Sequence, residues 1–554
     1  MRAGTTRPQH GRQPPPPHPI EPVPQRPRTQ GAPVSGTHEA AHRWLGLLSL
    51  SLGLLVIGLD TTILTVALPT LATSLEATTS QLQWFTDAYT LAFAALLLPS
   101  GVLGGRLGRK RVLVAGLLLF TAGLVLAVLA DTSGGLVLAR LVMGVGAAAI
   151  APQALALVPL LFPRDQRPRA AALATATFAL GLPLGPLIGG GLLNSFWWGS
   201  IFLINIPVLA LALVGVVRYV PEARGPRVPL DVVGSVLALT GISALLYGII
   251  EAPNRGWGDP LALLAIFTGV ALLCALLLWL RQAPHPLVDL SPFRSAHFAW
   301  GTATVCVVMF VLLGILFVVP QFLQQVQGHD AMATGIRLMP MFVGVLFATV
   351  AAEKLVSRFG IKWVVAVGML LWAIALILLG RLAADSTYAA TALALAIAGV
   401  ALALTLPTTF DAVLSSLPPD TAGAGSALAN ACRQVGAAAG IAVLGSVLNT
   451  VYRGELDDGA VPQLAGGSMD AVRDHLAGAE AAAAALPSGQ GQAVLAAARD
   501  AFVSGMSAAS LVGAGVAAVM SLLVVAMLPA RGGDGASARA DPGPDSGAGA
   551  QVHQ

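Results

Sequence analysis

Stretches free of Asp, Glu, Lys and Arg, each about the length of one bilayer crossing, recur along this chain and dictate its solvent. About 20 consecutive apolar residues cross the hydrocarbon core as an α-helix. Residues 88–105, 112–130, 232–250, 261–280, 363–380 and 386–410 each read as one such helix. Trp44–Leu75 is broken only by Asp60, and Ala170–Val217 is long enough for two helices with a turn near Trp197, Trp198 and Gly199. Further spans near 141–161, 299–322, 335–352, 425–450 and 505–529 bring the expected number to fourteen. The composition agrees, with 56% hydrophobic and 10% charged residues, far below the quarter or so of charged residues in soluble domains. The fold class expected is therefore an all-α polytopic membrane protein.

Basic residues in short loops orient such a protein, because Lys and Arg stay on the cytoplasmic side. Loops after even-numbered spans carry Arg106, Arg109, Lys110 and Arg111, then Arg164, Arg167 and Arg169, then Arg218, Arg224 and Arg227, then Arg281 and Arg294, then Lys354, Arg358 and Lys362. Loops after spans one, three and five carry none. This alternation predicts both termini in the cytoplasm and a cell (plasma) membrane location. The segment 451–500, with Arg453, Arg473 and Arg499, departs from it, as long translocated segments do. Its Ala- and Gly-rich part, 477–498, is open to helix formation. The net charge of +4 lies in scattered short loops, not in one patch or stripe, and predicts no nucleic-acid partner.

Cys274, Cys306 and Cys432 lie in apolar runs and read as packing residues, with no disulfide framework or metal-ligand cluster. No P-loop pattern of glycines with Lys and Ser/Thr is present, so neither an ATPase nor any other enzyme is expected, and energy must come from an ion gradient or the substrate's own. The tails 1–44 and 530–554 are low-complexity and read as disordered.

Two echoes suggest duplication. Arg106-Leu-Gly-Arg-Lys110 recurs as Arg358-Phe-Gly-Ile-Lys362, and Gly181-x-x-x-Gly185 recurs as Gly436-x-x-x-Gly440 at nearly the same offset. The organisation expected is a six-helix half over 45–219, two inserted helices over 231–281, and a second six-helix half over 298–529 that contains the 451–500 loop.

A charge inside such a chain is expensive. An ionised Asp at a span's centre costs at least about 3 kcal/mol on insertion scales, so Asp60 must face protein or water. It reads as a proton-titrating site that proton and substrate occupy alternately, or as an internal hydrogen-bonding residue at a helix break. Asp87, in Trp84-Phe-Thr-Asp-Ala-Tyr89, sits near the outer end of span two and is expected to remain partly hydrated. It reads as a cation-recognition acid beside Trp84 and Tyr89, or those rings are belt aromatics at the headgroups. Arg140 cannot shed its proton and needs an acceptor; Asp60 is the candidate, with snorkelling to headgroups as the alternative. Arg433 and Gln434, opening span thirteen, read as a helix-end clamp or gate on carbonyls, Asp411 or Asp420, or as snorkelling residues. Glu251 and Trp257 flank the loop between spans seven and eight and mark the interface.

These residues resemble the major facilitator superfamily, and more closely its fourteen-span drug:proton antiporters, over about residues 45–530. Leu59–Pro69 resembles the family's opening motif, and 84–91 is similar to the second span of multicationic exporters. Gly101-Val-Leu-Gly-Gly-Arg106-Leu-Gly108-Arg109-Lys110 resembles the superfamily's gating loop, with Gly105 where the family usually has an acid and Ser357 in the second copy. Residues 136–146 resemble the fourth-span motif, whose arginine, here Arg140, is implicated in proton transfer. Gly181, Gly185, Pro186 and Gly189 lie in a stretch that resembles the fifth-span antiporter motif, and 203–207, 335–340 and 430–436 are also similar to the family.

The resemblance implies a major facilitator fold and proton-coupled export of small lipophilic, often cationic, compounds by alternating access. It implies coupling by Asp60 and Arg140, and substrate contacts at Asp60, Asp87, Trp84 and Tyr89. It also implies no cofactor beyond the proton gradient, and a monomer whose partners are substrate, protons and lipids. The rivals are a dedicated exporter of an endogenous metabolite, antibiotic or lipid, and a non-transporting receptor or scaffold, which should carry a soluble signalling module.

Overall fold

The computed structural model describes residues 4, 36–163, 166–224, 231–284, 290–415, 422–456, 472–473 and 475–528. Arg164, Arg227, Asp420, most of the tail 1–44 and all of the tail 530–554 lie outside the described residues. Contacts divide the chain into two units, Met1–His42 and Arg43–Gln554, and the second carries the spans.

Lipid offers the backbone no hydrogen bonds, so the peptide groups must satisfy one another within helices. The described elements are α1 (Gly36–Ser74), α2 (Thr79–Leu107), α3 (Arg109–Val128), α4 (Ser133–Leu161), α5 (Arg167–Ser195), the short α6 (Ser200–Leu203), α7 (Asn205–Tyr219), α8 (Val232–Arg255), α9 (Pro260–Gln282), α10 (Ala296–Gln321), α11 (Ala331–Arg337), α12 (Met339–Phe359), α13 (Ile361–Leu379), α14 (Tyr388–Ser415), α15 (Ala422–Glu455), α16 (Leu476–Ala484) and α17 (Ser488–Met527). Twelve are long and apolar enough to cross a membrane, and two bent pairs bring the number to as many as 14. The pairs are Thr79–Leu97 with Pro99–Leu107, bent by 52°, and Arg169–Leu182 with Leu184–Ser195, bent by 40°. They coincide with spans two and five, where Pro99 and the Gly-Pro sequence interrupt the apolar run.

Several acids between spans start helices. Asp231 Oδ1 accepts from Gly234 N at 2.7 Å, Asp259 Oδ1 from Leu261 N and Ala262 N at 3.0 Å, and Asp330 Oδ1 from Ala333 N at 2.6 Å. Thr78 and Gln81 form a reciprocal capping box on α2. Each supplies an acceptor for N–H groups that the first turn leaves unpaired.

The helices exceed the apolar runs at several ends. α1 begins at Gly36 and not at Trp44, and α15 continues to Glu455. α17 begins at Ser488 rather than near 505. Helical hydrogen bonding outside the bilayer needs no apolar side chains, so charge marks the membrane boundary and not the helix end. The 40 residues of α17 extend about 60 Å at 1.5 Å per residue, twice the hydrocarbon thickness. Its start packs on α16, with Arg499 Nη2 3.9 Å from Glu480 Oε1. The expected span 335–352 corresponds to one crossing, Ala331–Thr349, built from two helices, α11 and the start of α12, that meet at Leu338.

The α8–α9 pair lies at the edge. Only 11% of the α9 span is buried, against 78% of α1. α9 packs on α8, and α8 packs on both α2 and α15.

Candidate functional site

Small residues seat α5 against α1 on both sides of Asp60. A Cβ at Gly181 would stand 2.5 Å from Leu59 N, one at Gly185 2.8 Å from Ile63 N, and one at Gly189 2.8 Å from Ile63 Cγ1. No other residue permits this approach. Thr62 Oγ1 crosses the seam to donate to Leu182 O at 2.8 Å. The other side of α5 meets α11, where Gly335 abuts the Pro186 carbonyl and a Cβ at Gly190 would lie 2.5 Å from Ala331 O. In the second half of the chain, Gly436 and Gly440 abut the carbonyls of Cys306 and Phe310 in the same manner, so α15 sits on α10 as α5 sits on α1.

The charge on α1 is paired. Arg140, on α4, donates from Nη1 to Asp60 Oδ2 at 2.6 Å, with side-chain exposures of 2% and 0%. Its Nε donates to Phe85 O at 2.7 Å, and its Cζ lies 4.4 Å from the centroid of the Tyr89 ring. Arg140 is therefore buried, not snorkelling. Asp60 Oδ1 has no hydrogen-bond partner, leaving one oxygen free to take a proton. Close approach of α2 and α4 makes this geometry possible: a Cβ at Gly144 would lie 2.5 Å from Tyr89 O.

Asp87 corrects its expected position. It is 0% exposed, and neither carboxylate oxygen has a hydrogen-bond partner. Tyr89, at 2% exposed, is packed under Arg140 and is no belt aromatic. Trp84 is half-buried, its ring 6.3 Å from that of Tyr247 on α8. Distance along a span from its loop does not reveal what covers it sideways, and α8 and α15 pack on this stretch of α2.

The basic loop between α2 and α3 turns at Gly108, whose φ is +116°. Arg109 Nη1 donates to Ala156 O at 2.9 Å and Lys110 Nζ to Val217 O at 2.8 Å. Arg106 is exposed, and Gly101 has nothing within 4 Å of where a Cβ would stand. The loop has no acid at Gly105, but Glu222, just beyond α7, supplies one. Its Oε1 accepts from Lys110 N at 3.1 Å, its Oε2 lies 3.7 Å from Arg111 Nε, and a Cβ at Gly108 would meet it at 2.7 Å. No local motif marks Glu222, which reaches the loop only because Arg109 N also donates to Ala223 O at 2.8 Å.

Arg433 and Gln434 do not open a helix. α15 starts at Ala422, so Arg433 lies about three turns inside. Its Cζ sits 5.7 Å from the centroid of the Phe178 ring on α5, and Gln434 is half-buried. Among the described residues no carboxylate, Asp411 included, lies within ion-pair distance of Arg433. Glu251 pairs with Arg255 at 3.7 Å within α8, and Trp257 Nε1 donates to Thr450 Oγ1 at 3.2 Å. Cys274 is exposed on α9, and Cys306 and Cys432 are half-buried.

Hydrogen bonds joining the two halves of the sequence gather toward the face opposite the basic loops. Gln83 Nε2 donates to Ile441 O and Ala442 O at 3.2 and 3.1 Å, Gln324 Nε2 to Val66 O at 2.8 Å, and Met332 N to Asn194 Oδ1 at 3.4 Å.

The site is thus a buried, half-satisfied ion pair inside a multi-pass helical bundle, and the comparisons with known proteins make this chain a membrane transporter and not an enzyme. The Major Facilitator Superfamily model matches residues 50–441, and the chain belongs to that superfamily. It is 34% identical over 436 residues to the multidrug resistance protein Stp of Mycobacterium tuberculosis, covering 78% of this chain and 80% of that one. It is 31% identical to the tetracenomycin C resistance and export protein of Streptomyces glaucescens, covering 87% and 91%. Among solved structures, a bacterial homolog of the lysosomal transporter Spinster, inward-facing and unoccupied, shares the fold at TM-score 0.63 and 16% identity, over 89% of this chain and 98% of that one.

Proposed function

We propose that this chain is a proton-coupled antiporter that exports small lipophilic, often cationic, compounds across the plasma membrane, and that Asp60 with Arg140 is its coupling site. The observation that carries the reading is the buried Asp60–Arg140 pair at 2.6 Å with one carboxylate oxygen free. A charge pair withdrawn from water is retained at a cost, and losing one partner's charge leaves the other uncompensated. A proton taken up at Asp60 Oδ1 neutralises the acid and releases Arg140 Nη1, while Phe85 O and the Tyr89 ring keep the guanidinium in place. Loss of the proton restores the pair.

Two six-helix halves, with α8 and α9 inserted between them, rock to expose the site to either side. The parallel seating of α5 on α1 and α15 on α10 supports that division. The loop alternation supports cytoplasmic termini and a cytoplasmic basic face, which makes the arrangement described one closed to the outside. In that arrangement α5 closes the outer side on α11, and Arg433 over Phe178 spans the halves as a gate. The protein works as a monomer. Its multidrug-resistance relative supports drug-like substrates, and Asp87 beside Trp84 supports a cationic subset. The tetracenomycin C relative favours a second reading, a dedicated exporter of one endogenous product by the same machinery.

In proteoliposomes with the basic face outward, an interior-acid pH gradient should drive concentrative uptake of tetraphenylphosphonium or of the neutral dye Nile red. Equal uptake with and without the gradient would overturn proton coupling. A wide substrate range favours the multidrug reading, and a single accepted compound the dedicated one.

A further inference from the structure

The mechanism leaves Asp87 and the inserted helix α8 without a shared role. Gln83, Asp87 and Leu91 recur every four residues and so line one stripe of α2. Gln83 bonds two carbonyls of α15. Leu91 belongs to an apolar cluster with Leu246 and Ile250 of α8 and Ala438 and Ala442 of α15, against which Trp84 packs. Asp87, between them, is thus buried where α2, α8 and α15 meet. Trp84, three residues earlier, stacks obliquely on Tyr247, with 6.3 Å between centroids and 41° between planes.

A desolvated carboxylate without a donor needs a proton or a positive neighbour. Trp84, one turn earlier on α2, and Tyr247, against which it packs, add the attraction that ring quadrupoles hold for diffuse positive charge. Resting on the reading that Asp87 receives cations, we infer that Tyr247, on the inserted helix, is a specificity-determining residue of this site. Trp84 and Tyr247 form the two faces that hold a lipophilic organic cation against Asp87.

The tethers of α8 give the clamp its motion. Ser446 Oγ on α15 donates to Ile249 O at 2.8 Å, and Trp257, just past the end of α8, bonds Thr450 of α15. α8 is therefore tied by hydrogen bonds to α15, and it joins α2 through apolar packing. When the halves separate along this seam, Tyr247 travels with α15 and Trp84 with α2. The faces part and the cation is released.

The test is the ratio of kcat/KM for tetraphenylphosphonium to that for Nile red, measured in proteoliposomes under one imposed pH gradient. Y247L should lower this ratio about tenfold, through KM for the cation, the scale of a desolvated cation–π contact. Y247F should restore it. W84L should give a similar fall, and the double variant should be no worse than either alone, because both remove one shared contact. A Y247L ratio equal to wild type, or equal losses for both probes, would overturn the inference, and W84L supplies the same readout if Y247L does not insert. D87N separates the layers: if it leaves the ratio intact, the cation reading of Asp87 itself falls. If D87N lowers the ratio and Y247L does not, only the role of Tyr247 falls.

Discussion

Arg140 holds three chemically different groups at once: the Asp60 carboxylate, the Phe85 carbonyl and the Tyr89 ring face. A planar fork does this and a point charge does not, so R140K is not conservative here. We predict that R140K inserts normally but loses at least about tenfold in kcat/KM for proton-driven export, as a retained charge without the fork would give. A wild-type rate in vesicles matched for protein content would contradict this. Asp60 and Arg140 were legible because charge in an uncharged run is too costly to be incidental. Their contact, across two helices distant in sequence, was not. Asp87 was legible as an acid, but its burial was not, since the covering residues belong to α8 and α15. Glu222 was illegible for a related reason: spacing shows that the loop lacks an acid at Gly105, but not which distant residue folds back to supply one.

Helices here are set by two signals that the sequence carries unequally. Uncharged length located nearly every span, because lipid enforces it. Ends and breaks were read less well, since α17 and α15 continue into polar surroundings and α11 gives way to α12 at Leu338, beside Arg337. Small-residue spacing stood out as an echo between two spans, yet only the structure shows that α5 uses one side for α1 and the other for α11. That double contact makes α5 sensitive to volume. G185V would push methyl groups into Thr62 and Ile63, and overpacking of this kind costs about 1–3 kcal/mol. The expected result is a protein that still inserts, melts lower by thermal-shift assay and exports poorly. G101V, at a position with open space around it, should melt like wild type. Equal melting of G185V and wild type would contradict the packing described.

At the scale of the molecule, a chain of the Major Facilitator Superfamily places one acid–base pair inside a bundle whose joining hydrogen bonds lie toward one face. α8 adds a wall at the α2–α15 seam. The two echoes of sequence have a counterpart in packing, two glycine pairs on two carbonyl pairs. Which face opens when was not legible, because it depends on contacts between halves and not on either half alone. The central claim is that protonation of Asp60 drives export. Its most direct measurement compares wild type with D60N in proteoliposomes, following tetraphenylphosphonium uptake under an imposed pH gradient and its passive exchange without one. D60N should abolish gradient-driven accumulation while retaining insertion and exchange, since Asn keeps the shape and cannot titrate. Undiminished accumulation by D60N would contradict the account.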